Sequence, residues 1–217
     1  MKLTLFLILL NLAVFFVTIF NLDYYVQNYG FSVDNFLSGK YYVVITAMFL
    51  HGGLLHIANN MIALLFLGSA VESKVKSWQY LLVYFVSGII ASFSLFLGGL
   101  FGYSSDTLAV GASGAIAGLV GLGTFISPGK WTMFPFIIPV PFVVAGALFF
   151  LSTSALLFSQ GEVAYPAHLF GIFAGAAFGL LWGQKRKMHI AIFISVVIFI
   201  LLLPYIVPLM LSMLGLS

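Results

Sequence analysis

The 217-residue sequence has no cysteine, so disulfides and thiolate metal sites are excluded and the redox compartment leaves no mark on it. Charge is nearly as scarce. Charged residues make up 6% of the chain, against roughly 25% in a soluble domain. The H-E-x-x-H motif of zinc proteases is missing, and His51 and His56 are wrongly spaced for two ligands on one helix face, so no metal is expected. "GASGA" departs from G-x-S-x-G, which removes a nucleophile elbow. No Asp or Glu falls well inside an apolar run, which counts against a coupled transporter built on a mid-membrane carboxylate.

What is present is apolar: 63% hydrophobic residues and a mean hydropathy of +1.20. Runs of about 20 apolar residues match a hydrocarbon layer of roughly 30 Å crossed as helix. Lipid forces helices, because unpaired backbone groups there cost several kcal/mol each. The expectation is an all-α integral membrane protein with seven spans, near 3–20, 47–70, 78–100, 110–127, 136–157, 166–183 and 189–213. The first run follows Lys2, lacks a small-residue cleavage site and reads as a retained span. In "FPFIIPVPF", Pro135, Pro139 and Pro141 are expected at the start of the fifth span, and Pro204 and Pro208 inside the last. Residues 21–46 are expected to form a structured loop partly sunk in the outer interface. No soluble domain, long low-complexity tract or internal repeat is visible.

The sequence pI is about 9.1, but the basic residues fall in short breaks rather than one stripe, so no nucleic-acid partner is expected. They report orientation instead. With the N-terminus cytoplasmic, Lys2, Lys74, Lys76, Lys130, Lys185, Arg186 and Lys187 fall inside and Lys40 alone outside. Asp23, Asp34, Asp106 and Glu162 then lie outside, as does the C-terminus. Glu72 reads as an interfacial charge beside Lys74 and Lys76.

Polar residues inside spans are the functional candidates. His51, His56, Asn59 and Asn60 lie in "LHGGLLHIANNM", Ser113 in "GASGAIAGLVG" and His168 in "YPAHLFGIFAG". At about 100° per residue, His56 and Asn60 share a helix face while His51 points elsewhere. Spans two, four and six run in the same direction, and His56 with Asn60, Ser113 and His168 all fall in their outer halves. A hydroxyl beside a neutral imidazole is the minimal nucleophile and base pair. Ser113, near a helix N-terminus, also has free N–H groups for an oxyanion, with the Asn60 amide or His56 as a further donor. Packing competes with this reading. Gly114 with Gly118, and Gly171 with Gly175 and Gly179, are small-residue faces that let helices approach closely, and Ser113 alone would pass as part of one. His189, at the inner interface, has no expected chemistry.

Together these residues resemble the rhomboid family of intramembrane serine proteases. The likeness runs from about Thr46 to Gly183 through "HGGLLHIANN", "GSAVE", "GASG" and "AHLFGIFAG", in order and spacing. It implies a six-helix core, residues 1–183 with the first loop at 21–46, enclosing a wet cavity open to the outside. Residues 184–217 would add a basic inner loop and one extra C-terminal transmembrane helix. It implies Ser113 as nucleophile, His168 as general base, and His56, Asn60 and the Ser113 backbone N–H as oxyanion hole. Structural roles follow for His51 and for Gly111, Gly114, Gly118, Gly171 and Gly175. The implied reaction is hydrolysis of a peptide bond in or beside a transmembrane segment of a protein substrate, in the lipid bilayer, with no cofactor or metal. The likeness also suggests that the fifth span and loop 158–165 move to admit substrate.

Two positions depart from the family. Tyr42-Val43 stands where many members have Trp-Arg in the first loop, and Ala117 stands where many have an aromatic ring that stacks on the catalytic histidine. Something else must orient His168, or the dyad is looser. A catalytically silent protein that binds transmembrane helices, and a polar-pore transporter using the histidines, remain as alternatives.

Overall fold

The computed structural model describes residues 1–135, 137–157 and 165–213, with side chains described through residue 208. Loop 158–164, with Glu162, lies outside the described residues. The chain is almost entirely helical: α1 Lys2–Thr18, α2 Leu22–Tyr29, α3 Val33–Leu37, α4 Val43–Thr46, α5 Leu54–Ala63, α6 Ser69–Glu72, α7 Ser77–Phe93, α8 Ser113–Ile126, α9 Phe142–Ala155, α10 Tyr165–Trp182 and α11 Arg186–Met213. A π-helical turn, Leu64–Gly68, joins α5 and α6 into one rod. Among the described residues five helical stretches are long and apolar enough to cross a membrane: Lys2–Tyr29, Leu54–Glu72, Ser77–Phe101, Tyr165–Trp182 and Arg186–Pro208. The chain is therefore a multi-pass membrane protein. α8 and α9 are apolar but shorter, 14 residues each.

Several boundaries differ from the sequence expectation. The second span begins at Leu54 rather than near 47, because residues 47–49 form a 3-10 turn and His51–Gly53 are non-helical. Pro135 and Pro139 do not start the fifth span. They sit in a two-stranded antiparallel hairpin, Trp131–Phe134 with Ile138–Pro141, and only Pro141 caps α9. In so short a sheet, where both strands are edges, the donors that proline lacks cost little. Pro204 and Pro208 lie inside α11 as expected.

The centre of the molecule is α8. Every residue from Gly114 to Phe125 is buried, against α7 on one side and α10 on the other. Glycine makes this possible. A β-carbon on Gly171 would collide with the Gly114 carbonyl, and one on Gly175 with the Gly118 carbonyl, so α8 and α10 touch backbone to backbone. Leu64, Tyr80, Val83, Tyr84, Leu119, Leu122 and Phe142 close the core around this pair.

The first loop is ordered by apolar packing. Phe31 is fully buried in a cluster with Val43, Val44, Ala47 and Leu95, and Phe36, Phe93 and Phe96 set their rings around it. Two backbone hydrogen bonds, Phe31 N–H to Ala109 O at 3.0 Å and Ala109 N–H to Phe31 O at 2.7 Å, stitch this loop to the strand-like segment before α8. Tyr42 packs on Tyr29 with ring centroids 5.6 Å apart. Tyr42 and Val43 thus tie the first loop down through aromatic and aliphatic packing.

At the opposite end of the bundle, Glu72 is not a partner of Lys74 or Lys76. Its carboxylate accepts the backbone N–H groups of Leu3 and Thr4, both at 3.0 Å, and the Thr4 hydroxyl at 2.7 Å. It thus caps the N-terminus of α1, where unpaired donors and the helix dipole favour negative charge. Lys130 plays the complementary part for the α5–α6 rod, donating to the Ala70 carbonyl at 3.0 Å and to the Ser73 hydroxyl.

Candidate active site

A helix of 14 residues is about 21 Å long, well short of a hydrocarbon layer of roughly 30 Å. α8 by itself is therefore shorter than that layer, and its first residues, Ser113 and Gly114, border a hollow. The hollow is a cavity of about 280 Å³. His56, Asn59 and Asn60 of α5, Ser113 and Gly114 of α8, Phe149 of α9, and Ala167 and His168 of α10 all line it, with Leu108–Gly111 as part of the wall.

Four of the residues singled out from sequence, His56, Asn60, Ser113 and His168, thus share one hollow. Ser113 opens α8, so the first N–H groups of that helix lack intrahelical partners and face the cavity end. Gly111 turns the chain into it. Its φ is +118°, a conformation that favours glycine, and a β-carbon there would lie 2.8 Å from His56 Nε2 and 3.8 Å from Ser113 Oγ. Its N–H donates to the Ala47 carbonyl at 2.8 Å, fixing the turn.

His56 is held by its other ring nitrogen. The Gly52 N–H donates to Nδ1 at 3.2 Å, so the neutral ring carries its proton on Nε2, the atom that faces Gly111. Asn60 donates one amide N–H to the His56 carbonyl at 2.9 Å, which tethers the side chain along the helix. His51 is fully buried and does not line the cavity. It rests edge-on against His56, ring centroids 5.1 Å apart, with Nδ1 3.3 Å from the Phe49 carbonyl oxygen.

His168 meets two aromatic rings. Phe149 of α9 lies 6.0 Å away at an interplanar angle of 35°, and Tyr165, one turn earlier on α10, lies 6.1 Å away at 81°. Sequence reasoning missed Phe149, because "ALFF" in an apolar helix carries no mark that separates a cavity-facing ring from a lipid-facing one. Ala117 is fully buried against α10. Gly118 and Gly175 lie deeper in the α8–α10 contact, and Gly114 and Gly171 join it near the cavity. His189 has a structural role after all, since its Nδ1 lies 2.6 Å from the Phe125 carbonyl oxygen and pins α11 to the far end of α8.

Among the described residues no carboxylate lines the cavity, and no three His, Cys, Asp or Glu side chains converge to hold a metal ion. The chemistry on offer is that of a hydroxyl, two imidazoles, amides and helix N–H groups around one partly open cavity.

Comparison with known proteins agrees with this architecture. The model of the Rhomboid domain matches residues 38–185, more than half of the chain. RHOMBOID-like protein 12, mitochondrial, of Arabidopsis thaliana is 29% identical over 198 residues, covering 83% of this chain and 57% of that protein. Rhomboid protease GluP of Bacillus subtilis is 30% identical over 146 residues, covering 65% of this chain and 27% of GluP. Putative rhomboid protease YdcA of the same bacterium is 29% identical over 164 residues, 75% of this chain and 76% of its own. This chain thus spans little more than half of the plant relative and about a quarter of GluP. With a mostly helical membrane fold around a buried central helix and that domain match, the chain belongs to the rhomboid family.

Proposed function

We propose that this protein is an intramembrane serine endopeptidase that cleaves protein substrates in or near their membrane-spanning helices. Ser113 is the nucleophile and His168 its general base. Ser113 Oγ attacks the scissile carbonyl carbon while His168 takes the hydroxyl proton. The carbonyl π electrons move to oxygen, and the oxyanion is met by the Ser113 N–H, the His56 Nε2–H and the Asn60 amide. On collapse the C–N bond breaks and His168 returns the proton to the departing amine. Water, activated by the same imidazole, then hydrolyses the acyl ester and restores Ser113.

The observation that carries this reading is that side chains from three separate helices, His56 and Asn60, Ser113, and His168, line one cavity at the N-terminus of a short buried helix. Chance packing of small residues would require no such convergence. The protonation of His56 on Nε2, implied by its Nδ1 contact, suits a donor rather than a second base.

In the membrane we take the chain to cross seven times, with α8 and α9 as short spans and α11 added after the six-helix core. The cavity faces the non-cytoplasmic side, because Lys74, Lys76 and Lys130 gather at the other end of the bundle, where the positive-inside rule expects them.

The proposal is tested by labelling the purified protein with a serine-directed fluorophosphonate, alongside cleavage of a model transmembrane substrate. Loss of both in Ser113→Ala, with unchanged expression and thermal stability, supports the proposal. Cleavage retained in Ser113→Ala removes Ser113 as nucleophile. A well-folded wild type that neither labels nor cuts points instead to a silent protein that binds transmembrane helices.

A further inference from the structure

A histidine that acts as general base must present one ring nitrogen to the serine, and something must fix the imidazole plane. In a triad a carboxylate does this from the other ring nitrogen. Here no carboxylate lines the cavity among the described residues. The position one turn after Ser113 holds Ala117, fully buried and facing α10, where a β-carbon on Gly171 would lie 3.1 Å from its own. The helix bearing the serine therefore offers His168 no ring to lean on.

α9 does. Phe149 lines the cavity and sets its ring against His168, tilted by 35° with 6.0 Å between centroids, within the range of aromatic pairs. Tyr165 meets the same imidazole at 81°, edge to face. One ring tilted against the imidazole and another roughly perpendicular to it narrow the space in which the imidazole can turn. Tyr165 sits on the same helix as His168 and moves with it, whereas Phe149 comes from a neighbouring helix and so fixes the imidazole relative to the rest of the cavity.

We propose that Phe149 is a positioning residue for His168, setting the imidazole plane from α9 in place of a ring on α8. The inference rests on the Ser113 and His168 reading above. Planarity is what the role demands. Leucine fills comparable apolar space but leaves the imidazole free to turn, and tyrosine keeps the flat ring.

The experiment compares Phe149→Leu, Phe149→Tyr and wild type for cleavage of a model transmembrane substrate, for the rate of labelling by a small fluorophosphonate, and for thermal stability. Misplacing a catalytic group by about 1 Å can cost 10²-fold. Phe149→Leu is thus expected to lower kcat about tenfold or more with KM little changed, and to slow labelling by a similar factor at unchanged Tm. Phe149→Tyr restores both rates to within about threefold of wild type. Phe149→Met serves as a second non-planar replacement if the leucine variant unfolds. Normal kcat and labelling in both non-planar variants overturn the inference. So does a fall in cleavage with normal labelling, which would make Phe149 a substrate contact. If wild type shows no Ser113-dependent labelling at all, the nucleophile assignment fails and this inference falls with it, an outcome distinct from either of the others.

Discussion

Gly111 and His56 meet so closely that no side chain fits between them: a β-carbon on Gly111 would lie 2.8 Å from His56 Nε2, and the Gly111 φ of +118° favours glycine in any case. Gly111→Ala is therefore expected to push His56 out of line and strain the turn into α8. Cleavage should fall about tenfold or more while the helical circular dichroism spectrum is retained. Normal activity in this variant would mean that His56 is not poised where the oxyanion forms.

The proposed oxyanion donors can be ranked. Asn60 already donates one amide N–H to the His56 carbonyl at 2.9 Å, and helix N–H groups at Ser113 remain when it is removed. Asn60→Ala should retain measurable cleavage, with kcat reduced by up to about 10²-fold, because one donor of several is lost. His168→Ala should leave none above background. Steady-state kinetics on the same substrate separates the two.

Glu72 probes the scaffold rather than the chemistry. It accepts three hydrogen bonds from the first turn of α1, at 2.7 to 3.0 Å. Glu72→Ala leaves those donors without the charged acceptor and should destabilise the protein by about 2 kcal/mol, read as a lowered Tm in detergent. Activity per folded molecule, measured well below that Tm, should change little.

The α8–α10 contact tolerates no added carbon. A β-carbon on Gly175 would overlap the Gly118 carbonyl, so Gly175→Ala forces two backbones apart. Overpacking of this kind costs about 1–3 kcal/mol. Because the same two helices carry Ser113 and His168, this variant should lose both Tm and kcat, unlike Glu72→Ala.

Much of this arrangement is legible in the sequence because membrane helices announce themselves by length and because polar residues inside them are rare. His56, Asn60, Ser113 and His168 stand out for that reason, and the glycines of α8 and α10 through their spacing. What stays hidden is set by tertiary contact. The proline hairpin before α9 reads as helix, since an apolar run with prolines has no periodicity that tells the two apart. Glu72 reads only as an interfacial charge near two lysines, because the groups that donate to it, on Leu3 and Thr4, are 69 and 68 residues away in the chain. His189 looks idle because its partner is a backbone carbonyl, invisible to any side-chain pattern. Phe149 is one phenylalanine among 24.

The neighbour of that residue ties α11 to the same element. Phe150 rests on Phe193 of α11, ring centroids 6.0 Å apart, while Phe193 also packs on Phe125 of α8 at 5.5 Å. α9 is thus braced from behind by a helix that is itself bolted to the central one. Displacing α9 away from α11 would have to part Phe150 from Phe193, so trimming α11 back is expected to loosen α9 and widen its side of the cavity.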